Sequence, residues 1–467
     1  MKISDEVQVQ ARALIADRLG LAFEESRQAD LERGLTQALG HSPDVLPEKY
    51  LAWLRTLPDE SPEWRRLAIS LTVGETYFFR DRLCFDALEQ QILPALIADR
   101  RSAGILRLRF WSAGCAIGPE PYSLAILLDQ LLPDRPAWAL TILATDINPV
   151  ALDLAHRGLY SEWALRETPR WVVDHYFHRR GKDTFELDPA IQRMVTFVPL
   201  NLAKDSFPAL MTNTNAMDLL VCRNVLMYFT KDMQQAVIAR LRESLATGGW
   251  LIVAPAEAST ELFRPLIPVN LPGVIFYRKS QDSSSTPLPY PYLEPETVVP
   301  EFQNPLYSTG EFDTPDPCQS LNTPPIIKEQ IPRQPERVIS LQPIRILADQ
   351  GHLEQARRLC ETLVAQDRLN PDAFLLLAAI CQEQGEFPAA LEALRRTIFL
   401  APSSVAAHFM RGCLLVRQGD RKQGRLSLEA VVNLLRSAVP DEAVPGSDGL
   451  TAGRLLETAR AYLEMQR

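Results

Sequence analysis

The sequence predicts an α/β protein in which a Rossmann-like domain on a parallel sheet follows a small all-α domain and precedes a further α-helical module. Three observations carry this reading. From about Ile105 to Lys279, short apolar runs alternate with amphipathic helices, as in a parallel sheet covered on both faces. Before that, from Val7 to about Leu71, apolar residues recur only at helical spacing. Beyond a stretch crowded with proline, helical periodicity resumes near Pro343.

Ala11, Leu14, Ile15 and Leu19, then Leu31, Leu35, Ala38 and Leu39, give the first domain its helical stripes. Breaks fall at Gly20, from Gly40 to Pro47 and from Pro58 to Pro62, so residues 1–75 read as one small helical domain. Residues 76–280 read as the α/β domain. Its expected strands are Ile105 to Trp111, Leu140 to Thr145, Met194 to Val198, Asp218 to Cys222 and Trp250 to Ala254. The helices between them include Pro121 to Leu131, Pro149 to Arg157 and Met233 to Ala246, and Gly273 to Lys279 suits a final strand returning against the sheet edge.

Between residues 280 and 338 lie 12 of the chain's 36 prolines, among many Ser, Thr, Asn and Gln. Such a composition buries too little apolar surface to offset its ordering entropy, so residues 281–340 read as a flexible linker. In residues 341–467 a repeat emerges: Gly351, Gly385 and Gly419 stand 34 residues apart, and Ala356, Ala390 and Gly424 follow them by five. That period, with small residues where paired helices turn and touch, marks tetratricopeptide repeats. Three units are expected to stack, with a helix from about Leu450 to Met465 as their cap.

Composition narrows the function. With 58 acidic against 49 basic residues the formal charge is −9, so no global field draws the chain to nucleic acid or anionic lipid. MKISDEVQVQ has no leader pattern and no stretch approaches a membrane span, which makes a cytoplasmic location the expectation. Seven widely spaced cysteines without a CxxC pair, and six histidines without HExxH, recommend neither disulfides nor a metal site.

The first expected strand ends in FWSAGCAIGPEPYSLAILL, where Gly114 and Gly118 bracket a turn into a helix opened by Pro119 and Pro121. The neighbouring strand ends on Asp146, where a carboxylate can accept hydrogen bonds from both hydroxyls of a ribose. Asp146 also suits the helix start in DINP, and Glu120 serves equally as a cofactor contact or as a favourable charge at a helix N-terminus. The nicotinamide glycine fingerprint is absent, which disfavours a dehydrogenase.

Together GETYFFRD, FWSAGCAIGPEPYSLA, ATDINPVAL and LLVCRNVLMYF, in this order, resemble the CheR-type chemotaxis receptor methyltransferases over roughly residues 5–280, here with a tetratricopeptide module appended. The resemblance implies a class I methyltransferase fold and S-adenosylmethionine as cofactor. It implies methyl transfer to glutamate side chains of a chemoreceptor, the protein substrate. It also implies cofactor contacts at Thr76, Arg80, Gly114, Glu120, Asp146, Asn201, Leu202, Arg223 and Asn224, with Arg80 and Tyr228 at the methyl-transfer centre. Two departures are visible: Pro119 replaces the first acidic residue of GEEPY, and CAIG stands where CSTG is common, removing a hydroxyl.

The chemistry suits a chain without a catalytic triad. A glutamate acceptor, with a pKa of about 4.3, is already ionised at neutral pH and needs no general base; positioning can supply much of the acceleration. Arg80 is the expected cation for the carboxylate, or else a partner of Asp81 or of the cofactor's own carboxylate. The cluster Arg179, Arg180 and Lys182 reads as a solvated face or as a dock for an acidic receptor. Two other functions stay open: a non-catalytic chemosensory adaptor, and a methyltransferase for another acceptor. The repeats are expected to bind a further chemosensory protein or peptide, or to pack on the catalytic part.

Overall fold

The computed structural model describes residues 4–23, 27–40, 46–58, 61–72, 76–210, 212–280, 340–349 and 351–464, so the expected linker lies outside the described residues except for Ser340. The chain opens with α1 (Asp5–Leu19), α2 (Gln28–Leu39), α3 (Pro47–Thr56) and α4 (Pro62–Leu71). The Oγ of Ser4 accepts from Val7 N to cap α1, and Ser61 caps α4 in the same way through Trp64 N. Their apolar stripes close on one core that includes Ile15, Leu31, Leu35, Leu54, Trp64 and Leu67, each at most 1% exposed.

Two further helices, α5 (Arg82–Ala87) and α6 (Leu93–Ser102), joined by a π-helical turn, lead into β1 (Arg107–Ala113). Then come α7 (Pro119–Leu131), β2 (Ala139–Asp146), α8 (Pro149–Arg157), β3 (Leu159–Ser161), α9 (Arg170–Tyr176), β4 (Phe177–Arg179), β5 (Thr184–Leu187) and α10 (Pro189–Gln192). The rest of the α/β part is β6 (Val195–Pro199), β7 (Met217–Val221), α11 (Lys231–Ser244), β8 (Leu245–Ile252), β9 (Ile267–Leu271) and β10 (Val274–Arg278).

Seven strands form a sheet in the order β6-β2-β1-β7-β8-β10-β9; the first five run parallel, β10 runs antiparallel to β8, and β9 antiparallel to β10. Strand order reverses between β1 and β7, which opens a crevice at their carboxyl ends, where α/β sheets bind ligands. Buried residues on both faces, such as Phe110 and Ile142 on one and Trp111 and Leu143 on the other, explain the continuous apolar runs. The expected strands appear with shifted ends, and two differences have a physical reason. Strand β8 begins at Leu245 because a bulge opposite Met217 and Leu219 absorbs the turn-like ATGG. The edge strand β9 alternates half-buried and exposed residues, so it shows no apolar run.

A separate three-stranded sheet, β3-β5-β4, carries the basic cluster. Arg179 ends β4, and Arg180 pairs with Glu186 across the hairpin; Arg179, Arg180 and Lys182 are all exposed.

From residue 341, α12 (Leu341–Asp349) pairs with α13 (Leu353–Gln366), α14 (Pro371–Glu383) with α15 (Phe387–Leu400) and α16 (Val405–Arg417) with α17 (Arg421–Leu434). Gly351, Gly385 and Gly419 sit in the turns within these pairs at φ of +84°, +80° and +86°, which explains their regular spacing. Finally α18 (Ala452–Glu464) packs on the last pair, as expected of a cap. The stack rests on the α/β part: the Arg417 guanidinium donates to Leu140 O at 3.2 Å, and Arg454 of α18 pairs with Asp205.

The turns at Gly385 and Gly419 predict a graded cost. A methyl at Gly385 would lie 2.8 Å from the Cβ of Ala139 at the start of β2, whereas Gly419 has open space. Gly419→Ala should cost about 1 kcal/mol through its backbone alone. Gly385→Ala should cost about 1–3 kcal/mol more from overpacking. Urea titration of both full-length variants checks the order; equal midpoints would show that the Gly385 turn does not seat on β2.

Candidate functional site

At the carboxyl ends of β1, β2, β6 and β7 the chain forms a pocket lined by Gly114, Asp146, Asn201, Leu202, Asn224 and Tyr228 among others. These six were expected from sequence to be site residues, and they come from four separate segments. Gly114 ends β1 at φ +82°, and a Cβ there would lie 2.3 Å from Val225 Cγ2, so only glycine lets β1 and the Asn224 turn meet.

Asp146 is held by two backbone donors, Ala116 N to Oδ2 and Asn148 N to Oδ1, both at 2.8 Å. Each oxygen keeps a further acceptor site. Burial raises its pKa despite these hydrogen bonds, which favour the charged form. Next to it, Leu200 N donates to Asp146 O at 3.0 Å, and Asn201 N donates to Asp205 Oδ2 at 2.6 Å, which shapes the turn bearing Asn201 and Leu202.

Glu120 and Arg223 stand behind the pocket rather than on its lining. Arg223, 7% exposed, donates from Nη1 to Arg80 O at 2.9 Å and to Glu120 Oε2 at 3.5 Å, and from Nη2 to Asp81 Oδ2 at 3.2 Å. Ser112 Oγ donates to Glu120 Oε1 at 2.7 Å. Burial raises the pKa of Glu120, opposed by the Arg223 charge and the Ser112 hydrogen bond. Thr76 and Arg80 also lie outside the lining, and the Arg80 guanidinium stands 5.8 Å from the centre of the Tyr77 ring. Asp81, a sequence candidate for pairing with Arg80, pairs with Arg223.

Asp81, at φ 69°, and three other non-glycine residues around this network take positive φ; the three are Phe79 at 55°, Ala116 at 49° and Asn224 at 57°. Each has its amide pinned by a side chain, Phe79 by Ser123 Oγ at 3.0 Å, Ala116 by Asp146 and Asn224 by Glu257 Oε2 at 2.8 Å. The hydrogen bonds offset a backbone geometry that costs of order 1–3 kcal/mol.

Sequence reasoning missed two contributors. Glu257, 8% exposed, also accepts from Val225 N at 2.8 Å and from Met227 N and Ala254 N at 3.1 Å, so one carboxylate shapes the whole turn after β7. Its signal was present: a carboxylate directly after a buried strand, in APAE. The other is the helical domain, which supplies Leu19, Leu21, Phe23, Arg27, Leu71 and Thr72 to the lining. Ala22 N donates to Tyr228 O at 2.6 Å, and the Arg27 guanidinium lies 4.4 Å from the Tyr228 ring centre and 3.5 Å from Asp30. Nothing in the spacing of a helical stripe signals such a contact.

A family model described as CheR methyltransferase, SAM binding domain, matches residues 74–266, and a tetratricopeptide repeat model matches residues 347–411. Chemotaxis protein methyltransferase 1 of Pseudomonas aeruginosa is 35% identical over 215 residues, covering 45% of this chain and 76% of that protein. Chemotaxis protein methyltransferases of Listeria monocytogenes and Borreliella burgdorferi are 35% and 31% identical, over 40% of this chain and 66% and 65% of theirs. A solved structure of magnesium protoporphyrin IX methyltransferase from Synechocystis PCC 6803 with bound SAM is 14% identical at a TM-score of 0.23, covering 54% of this chain and 97% of that one. The pocket suits such a cofactor, since a side chain at Gly114 would fill the close approach and Asp146 offers buried acceptors for a ribose. The chain belongs to the CheR family of S-adenosylmethionine-dependent chemotaxis methyltransferases, with tetratricopeptide repeats appended.

Proposed function

We propose that the chain methylates glutamate side-chain carboxylates of a chemoreceptor-like protein in the cytoplasm, forming methyl esters in chemosensory signalling. The observation that carries this reading is the convergence of Gly114, Asp146, Asn201 and Tyr228 on one pocket at the switch point of the sheet. In it, Asp146 accepts from the cofactor ribose, and Asn201 and Leu202 flank the adenine. Thr76, Arg80 and Asn224 complete the contacts, while Glu120 and Arg223 hold the segments that bear them.

When bound, S-adenosylmethionine supplies a methyl carbon on a sulfonium, and the sulfur keeps the electron pair of the broken bond as S-adenosylhomocysteine. The acceptor oxygen brings its own electron pair, so the chain moves no proton. Its residues bind, orient and exclude water. Tyr228 lines the transfer centre; Arg27, which also pairs with Asp30, lies beside its ring, and Arg80 is the cation that meets an ionised acceptor. The repeats serve a further chemosensory protein or peptide.

Labelled methyl transfer from S-adenosylmethionine to a chemoreceptor cytoplasmic fragment tests the reading. We expect protein label that mild base releases and that an Asp146→Ala variant fails to introduce, with a loss of about 100-fold or more if two charge-assisted hydrogen bonds to the ribose go. Base-stable label, or none despite cofactor binding, overturns it.

The raised pKa of Asp146 sets a pH dependence. Protonation removes an acceptor, so S-adenosylhomocysteine affinity should fall as pH drops, beginning above the ordinary aspartate range. The fold does not fail for the same reason. A carboxyl whose pKa is higher folded than unfolded contributes stability at low pH and loses it as pH rises through the folded value. Calorimetric titration across pH, beside a melting curve at each pH, checks this; an affinity flat down to the ordinary aspartate range would remove Asp146 from the ribose.

A further inference from the structure

The turn that follows β6 is held from two sides. Asp205, 8% exposed, receives Asn201 N at 2.6 Å on Oδ2, and the same oxygen receives Nη2 of Arg454 from α18, 249 residues later. Arg454 is itself oriented by Glu457 through Nη1, and Arg240 of α11 donates to Asp205 O at 2.8 Å and to Leu202 O. Asp205 and Glu457 hold the Arg454 guanidinium charged although burial opposes it. The cation hydrogen-bonded to this buried carboxylate therefore belongs to the repeat module, while the backbone the carboxylate shapes belongs to the pocket.

We propose that Arg454 is a positioning residue for the cofactor site. Acting through Asp205, it fixes the turn that presents Asn201 and Leu202, so the repeat module is a structural part of cofactor binding. The proposal rests on the reading of Asn201 and Leu202 as cofactor contacts. Without Arg454 the Asp205 carboxylate keeps Asn201 N as its donor and Arg240 as a nearby charge but loses its hydrogen-bonded cation, and it lowers that cost by turning toward water and releasing Asn201. The turn then has to be re-formed whenever cofactor binds, which raises the dissociation constant and leaves the bound complex unchanged.

The test is calorimetric titration of S-adenosylhomocysteine into the full chain, which needs no acceptor protein; failure of the receptor-methylation reading therefore leaves the measurement intact. Arg454→Ala should weaken binding about tenfold, the scale of one hydrogen bond to a charged group. In methyl transfer it should raise KM for S-adenosylmethionine with kcat unchanged. Arg454→Lys should recover part of the affinity. Adding Asp205→Asn to Arg454→Ala, which keeps an acceptor for Asn201 and removes the buried charge, should recover most of it.

Arg417→Ala is the control, because it removes the module's hydrogen bond to Leu140 O, away from this turn. It should bind as wild type. Wild-type affinity in Arg454→Ala overturns the proposal, and so does equal weakening in Arg417→Ala, which would trace the effect to module docking in general. If Arg454→Ala does not fold, Asp205→Ala decides: it removes the shared oxygen, and wild-type affinity there overturns the proposal as well.

Discussion

The Arg223 guanidinium joins three stretches of chain that are distant in sequence. It stands after β7, binds the carbonyl of Arg80 and the carboxylate of Asp81 from the RD turn, and reaches Glu120 at the start of α7. A lysine ammonium could not span these acceptors from one buried point, whereas the planar fork of arginine does so with fixed geometry. Removing it would strand two carboxylates, one of them behind the pocket, and breaking a buried pair typically costs about 3–5 kcal/mol. The three segments therefore form one mechanical unit, braced against each other beside the pocket.

The strained residues belong to the same design. Phe79, Ala116 and Asn224 each turn the chain sharply at the rim of the crevice, and each amide is captured by Ser123, Asp146 or Glu257. Asp146 pins Ala116 and also lines the pocket.

Much of the fold was legible because its signals are local. Apolar runs announced β1, β2, β6, β7, β8 and β10, glycines at a 34-residue period announced the helix pairs, and Gly114 with Asp146 announced the crevice. What stayed hidden depends on contacts between remote segments or on residues with ordinary local patterns. The edge strand β9 has no buried face to mark it, and β8 begins inside a sequence that reads as a turn. The site shows the same limit. Arg27 is one charge on a polar helix start until Tyr228 lies beneath it, and Arg454 resembles any surface arginine of α18 until Asp205 meets it. The motif residues Arg80 and Arg223 were identifiable by type and order, yet only the fold shows that Arg223 works from behind the lining.

The distance along the chain between Asp205 and its cation bears on synthesis. The seven-stranded sheet is complete once Arg278 has left the ribosome, and a domain can fold as a unit while translation continues. At that moment Asp205 is in place, but Arg454 emerges only 176 residues later along the chain, counted from Arg278. At about 5–20 residues per second that is an interval of roughly 9–35 s. During it the nascent enzyme has its sheet and its crevice, but the turn beside them is braced only from the Arg240 side.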